Sequence, residues 1–227
     1  MGQMALGYGS EFHLLRWLGR HRNEFDKRIK GLLNTGNITW LDFNFSADEI
    51  PDKELVGIEF LKDELNYEKV IKIWEKEWPQ TGKQMNWDLL GYTKQNNKKN
   101  WILIEAKAHL GELEQYCKAT SLDSIEKIES ALLKTAKNYG IKVPKNKPWT
   151  KKYYQFANRI YVLDLLKRNG FNAKLINIYF VGDMISKSRK SPQNKHEWST
   201  KIKEMKDYLG VGTTELNVYE LFLNLDK

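Results

Sequence analysis

Cysteine is almost missing. Cys117 is the only one in 227 residues, which excludes an intrachain disulfide and a cysteine-based zinc cluster. A small secreted domain that depends on such staples is excluded too, and a reducing compartment is expected. No apolar run approaches the ~20 residues of a membrane span, and the N-terminus has no signal-peptide stretch. Met1-Gly2-Gln3-Met4-Ala5-Leu6 lacks the Ser or Thr that a myristoylation signal needs at its sixth position. The expected location is the cytoplasm, with no membrane partner. Internal repeats and low-complexity tracts are absent as well.

What is present suits one folded domain over residues 1–227. Hydrophobic residues make up 41% and aromatics 12%, with eight Trp, enough for a core and, in part, for surface stacking. Lys and Arg number 37 against 29 Asp and Glu, a net charge of +8. A basic surface attracts polyanions, so nucleic acid is the natural partner.

Periodicity predicts a helix over residues 10–33, capped by Ser10, with Leu14, Leu15, Leu18, Phe25, Ile29 and Leu32 as its apolar stripe. An aromatic-rich strand is expected over 38–45 and a helix over 67–78, stopped by Pro79. Residues 87–93 and 101–108 read as strands joined by the polar turn 94–100, a β-hairpin. A mostly helical stretch over 111–139, a helix over 151–168, a strand over 173–181, a helix over 197–209 and a last strand over 218–225 follow. The order helix, strand, hairpin, helix, strand predicts an α/β fold, a central mixed sheet flanked by helices.

The hairpin carries the chemistry. In a tightly closed antiparallel pair, opposing residue numbers share one midpoint. Asp88 and Glu105 average to 96.5, between Asn96 and Asn97 at the centre of the turn. They are therefore expected opposite each other on one face, with Cβ atoms ~4.5–5.5 Å apart. Strand period two adds Lys107 and His109 to that face. Facing carboxylates repel unless a cation binds between them, and oxygen ligands suit Mg²⁺ or Mn²⁺. Lys107 beside the metal can orient a water nucleophile or stabilise charge on a phosphorane. An ion pair of Lys107 with Glu105 or Asp88 is the other arrangement these residues allow. His109 and Glu112 are expected as supporting groups.

An Asp followed, after a hairpin, by Glu105-Ala106-Lys107 resembles the PD-(D/E)XK nuclease superfamily and its restriction-endonuclease-like αβββαβ core. Trp87 stands where the superfamily's name has Pro. Gly9-Ser10-Glu11, Trp78-Pro79, Asn86-Trp87-Asp88, the run from Glu105 to His109, the run from Tyr153 to Arg159, and Phe180-Val181-Gly182-Asp183 resemble a prokaryotic family within it. The resemblance implies a metal-dependent nuclease acting on DNA more readily than RNA. It assigns metal binding to Glu11, Asp88 and Glu105, and catalysis to Asp88, Glu105, Lys107 and Gln155. Glu11 is equally explained as an acid in a first helical turn, favoured by the dipole. Gln155 and Arg159, spaced i, i+4, share a helix face, with Asn158 at its edge. Arg159, Asn158, Lys151 and Lys152 are the expected nucleic-acid contacts, helped by the basic loops 142–152, with Trp149, and 187–195, with Arg189. The competing function is a nucleic-acid-binding or interaction protein that keeps this fold without catalysis.

Overall fold

A computed structural model describes residues 8–41, 55–82, 84–184 and 191–225. Its helices are α1 (Ser10–Arg20), α2 (Arg22–Leu33), α3 (Tyr67–Glu77), α4 (Leu122–Asn138), α5 (Tyr154–Arg168) and α6 (Lys195–Leu209). The strands are β1 (Ile38–Trp40), β2 (Leu55–Val56), β3 (Asn86–Trp87), β4 (Leu89–Gln95), β5 (Lys98–Lys107), β6 (Asn172–Val181) and β7 (Val218–Asn224). Five strands form one mixed sheet in the order β1-β4-β5-β6-β7, and β2 pairs with β3 in a small second sheet. The β1-β4 and β4-β5 pairs are antiparallel, while β5-β6 and β6-β7 are parallel. This is the expected α/β arrangement. Among the described residues, no helix is long and apolar enough to cross a membrane.

Strand alternation sorts the core into two layers. Ile102, Ile104 and Ala106 of β5, with Ile176, Ile178 and Phe180 of β6, pack under Leu14, Trp17, Leu18, Phe25 and Ile29 of α1 and α2. Trp101 and Leu103, with Leu175 and Tyr179, face the larger layer of α3, α4, α5 and α6. In α5 every residue from Phe156 to Leu166 is buried, because this helix is packed on all sides rather than on one stripe.

The first predicted helix is two. His21 (φ −122°, ψ 25°) interrupts it, and both halves turn their apolar residues onto the same sheet face. Gly9, not Ser10, is the N-cap of α1. Its φ of 96° is one that glycine adopts without strain, and no side chain caps the turn. Its N–H donates to Asp183 Oδ2 at 3.1 Å. The helix expected from residue 151 starts at Tyr154, because Tyr153 sits in the left-handed region at φ 58°. The strand expected over 38–45 is described only to Leu41, the remainder lying outside the described residues, and so does Arg189. Seven Trp residues are buried, and Trp40 is half-buried. The expected surface Trp is therefore a core residue. Trp149 is an example, its Nε1–H donating to Leu209 O at 3.1 Å.

Candidate functional site

Registration of the hairpin puts Leu89 opposite Ile104 and Leu90 opposite Leu103. The paired register ends at Leu89; carried one step further it would face Asp88 with Glu105, whose charges interact. Asn96 and Asn97 close the turn with φ of 50° and 60°, the two left-handed residues that a two-residue hairpin loop needs. Odd-numbered side chains of β5 face α5, so Glu105 and Lys107 extend the row begun by Trp101 and Leu103. Asp88 lies where the backbone passes from β3 to β4. Its Oδ2 accepts the Ala106 N–H at 2.6 Å, which ties the carboxylate to the middle of this cluster.

Glu105 is 3% exposed and fully engaged. Its Oε1 accepts from Lys107 Nζ and from Gln155 Nε2 at 2.7 Å. Its Oε2 accepts from Arg159 Nε at 2.9 Å and lies 2.7 Å from Nη2. A carboxylate has about four lone-pair positions, and all are taken. Arg159 also donates to Asn86 O at 2.5 Å and to Asn158 Oδ1 at 3.1 Å, and its guanidinium lies 4.4 Å over the Trp87 ring. Lys107 pairs with Glu105, and the charges of Asp88 and Glu112 also act on it. Glu112 Oε1 in turn accepts from the Ala108 and His109 N–H groups at 3.2 Å, and His109 Nε2 lies 3.2 Å from it.

These contacts divide the titration behaviour. Burial alone would raise Glu105, but Lys107 and Arg159 outweigh it and hold its carboxyl below the usual range. Burial opposes the charge on Lys107, and Glu105, Asp88 and Glu112 reverse that, keeping its ammonium protonated. For Asp88 the compensation from Lys107, the Ala106 N–H and Arg159 falls short. Burial, then the Glu105 charge, push its carboxyl up to about 7 from an ordinary 3.8. A carboxyl that titrates near neutrality can accept a proton from water at working pH.

A cleft of about 520 Å³ opens on this cluster, lined by Asp88, Gln155, Asn158 and Arg159 among others. Asp88, Glu105, Lys107 and Gln155 are thus brought together. Glu11 is not. It is exposed at the start of α1, a helix packed on the opposite sheet face from Glu105 and Lys107. Among the described residues no three His, Cys, Asp or Glu side chains gather in metal-binding fashion. Glu11 lies in the first turn of α1, where an acid favours the helix dipole by ~0.3–1 kcal/mol. Arg159, expected at nucleic acid, is 3% exposed and spent on Glu105. Lys152 is shared between Glu204 at 2.8 Å and Glu114 at 3.2 Å. Asn158 is buried on the cleft wall, and Lys151 is exposed.

One residue escaped the sequence reading. Asn177 is the parallel-strand neighbour of Glu105, 4% exposed, with its Nδ2 unpartnered. Its signal was a lone amide within the apolar run of β6. Gln155 Oε1 is likewise buried without a hydrogen-bond partner. An unsatisfied donor and an unsatisfied acceptor thus flank Glu105, where each costs ~1–3 kcal/mol unless some group meets it. No family model, curated protein or solved structure matches the chain.

Proposed function

We propose that this chain is a metal-dependent nuclease of the PD-(D/E)XK class that hydrolyses phosphodiester bonds of DNA. The observation that carries the reading is the convergence of Asp88, Glu105 and Lys107, with Asp88 lining a cleft and the other two buried behind it. The succession α1, β1, the β4-β5 hairpin, α5 and β6, with β5 and β6 parallel, supports a restriction-endonuclease-like αβββαβ core. The net charge of +8 supports a polyanionic substrate.

The donor chemistry fits a hard divalent cation. Asp88 and Glu105 would hold Mg²⁺ or Mn²⁺, with the unpartnered Gln155 Oε1 as a further oxygen. Such an ion polarises the phosphoryl group and lowers the pKa of a bound water. Because Glu105 already accepts four donors, a bound cation would take the place of one of them, from Lys107, Gln155 or Arg159. The Lys107 ammonium beside that site would orient the attacking water and offset charge developing on the phosphate. Gln155, through its Nε2, keeps Glu105 oriented toward the cleft.

The test is cleavage of DNA by the purified protein with Mg²⁺ or Mn²⁺ and with EDTA. Cleavage should require the metal, and Asp88→Asn and Lys107→Ala should each lower its rate by ~10²-fold or more. Cutting by Asp88→Asn at the wild-type rate would remove the proposal. The four donors on Glu105 favour a second reading, a nucleic-acid-binding or interaction protein that keeps this fold and uses Glu105 as a structural ion pair. That reading expects no metal-dependent cleavage from the wild type.

A further inference from the structure

Glu105 and Lys107 are 3% and 7% exposed, and neither lines the cleft, whereas Asp88 does. A phosphodiester therefore meets the carboxylate from inside the cleft, and whatever the cleft admits decides the substrate. Two irregular stretches form its walls. Residues 78–82, 84 and 85 follow α3, with Gln84 Nε2 donating to Pro79 O at 3.1 Å. Residues 115–121 lead into α4 and are pinned by two backbone bonds of 2.8 Å, Cys117 N–H to Thr150 O and Tyr154 N–H to Gln115 O. This second wall is thereby fixed to the segment that enters α5, so it is part of a pre-formed site.

The cavity, about 520 Å³, lies within the ~300–1,000 Å³ of sites that enclose one small ligand. Tyr116 stands on the pinned wall, 58% exposed, with no ring against it among the described residues. Lys118, two residues on, is exposed and pairs with no carboxylate among the described residues. Asp88 is the only acidic side chain on the described lining. The cleft thus offers a free aromatic face and a free cation to an anionic ligand. A stacked duplex is convex and keeps its bases inside, so a cleft of about 520 Å³ suits a single nucleotide better. An unpaired strand can turn one nucleotide into it, and every base has a π-face that an aromatic ring accepts.

Resting on the phosphodiesterase reading above, we infer that the substrate is an unpaired DNA strand. One nucleotide lodges in the cleft with its base on Tyr116, its backbone drawn in by Lys118 and its phosphate brought to Asp88.

Fluorescence anisotropy in EDTA tests this, with a labelled oligodeoxythymidylate and a blunt duplex of equal length. The wild type should bind the single strand at least about tenfold more tightly, and Tyr116→Ala should weaken that binding by roughly five- to a hundredfold. Duplex binding should not change, and Tyr116→Phe, which keeps the ring, should restore the single-strand affinity. Lys118→Ala should lower the salt dependence of single-strand binding by about one phosphate contact. Tyr116 is exposed, so its truncation leaves the fold intact, and an unchanged melting temperature confirms that. Equal affinity for the two forms, or a Tyr116→Ala protein that binds the single strand as the wild type does, overturns the inference. Metal-dependent cutting of both forms at equal rates, indifferent to Tyr116→Ala, also overturns it and leaves the phosphodiesterase reading standing. Tyr116-dependent single-strand binding without any cutting does the reverse.

Discussion

At the scale of single residues, the contrast between Asp88 and Glu105 decides the chemistry. Both are carboxylates near Lys107, yet one is pushed to about 7 and the other held low. The difference lies in the donors: two cations and an amide saturate Glu105, while Asp88 takes one backbone N–H. This has a consequence for stability. The folded-state value for Asp88, about 7, lies above its unfolded value near 3.8. The folded protein therefore binds that proton more tightly than the unfolded chain, and stability falls as pH rises from about 4 to about 7. Asp88→Asn, which can still accept the Ala106 N–H, removes this loss. Its melting temperature in EDTA should equal that of the wild type near pH 4 and exceed it by several degrees at pH 8. A gap that stays constant over this range would mean that Asp88 ionises normally.

At the scale of elements, the site depends on how β4 sits between β1 and β5. Gly91 of β4 is opposite Trp40 of β1, and a Cβ there would meet the Trp40 ring at 2.5 Å and Thr39 O at 3.0 Å. Trp40 has little room to retreat, since its Nε1–H is bonded to Asp26 Oδ1 at 2.8 Å and its ring packs on Phe25. Gly91→Ala should therefore cost ~1–3 kcal/mol by overpacking, seen as a lower melting temperature and faster amide exchange in β1. Exchange in β5 and β6 should change only through global stability, and selective loosening of β5 instead would refute this account of β1. Much of the site could be read from the hairpin for the same local reason. Its turn and its alternation are properties of neighbouring residues, so the Asp88–Glu105 midpoint and the face of Lys107 were legible. The i, i+4 spacing of Gln155 and Arg159 was legible too. Their partner Glu105 is 50 and 54 residues away, which no periodicity encodes, so Arg159 read as a contact for nucleic acid. Neither β2 nor β3 shows a pattern, because two residues have no period. The side of the sheet taken by α1, which separates Glu11 from Glu105, is likewise set by topology alone.

At the scale of the whole molecule, the proposed cation site makes a thermodynamic prediction, since facing carboxylates cost stability that a bound cation would return. A ligand that binds only the folded state stabilises it by ~2.7 kcal/mol at a hundredfold excess over Kd. For a chain of this size that corresponds to a rise in melting temperature of about 5–10 °C. Mg²⁺ or Mn²⁺ should produce that rise in the wild type and none in Asp88→Asn. Protons compete for Asp88 below about 7, so the rise should be larger at pH 8 than at pH 6. Lys107→Ala should keep most of it, because Arg159 and Gln155 still hold Glu105 and no buried charge is stranded. A purely structural role predicts the opposite order. Removing one partner of a buried pair then costs ~3–5 kcal/mol, so Lys107→Ala would melt far lower and metal would shift nothing. Thermal melts of the three proteins, with and without Mg²⁺ at the two pH values, separate these outcomes. A wild type indifferent to both metals, beside an Asp88→Asn protein that melts lower in EDTA, would leave the ion-pair reading in possession of the site.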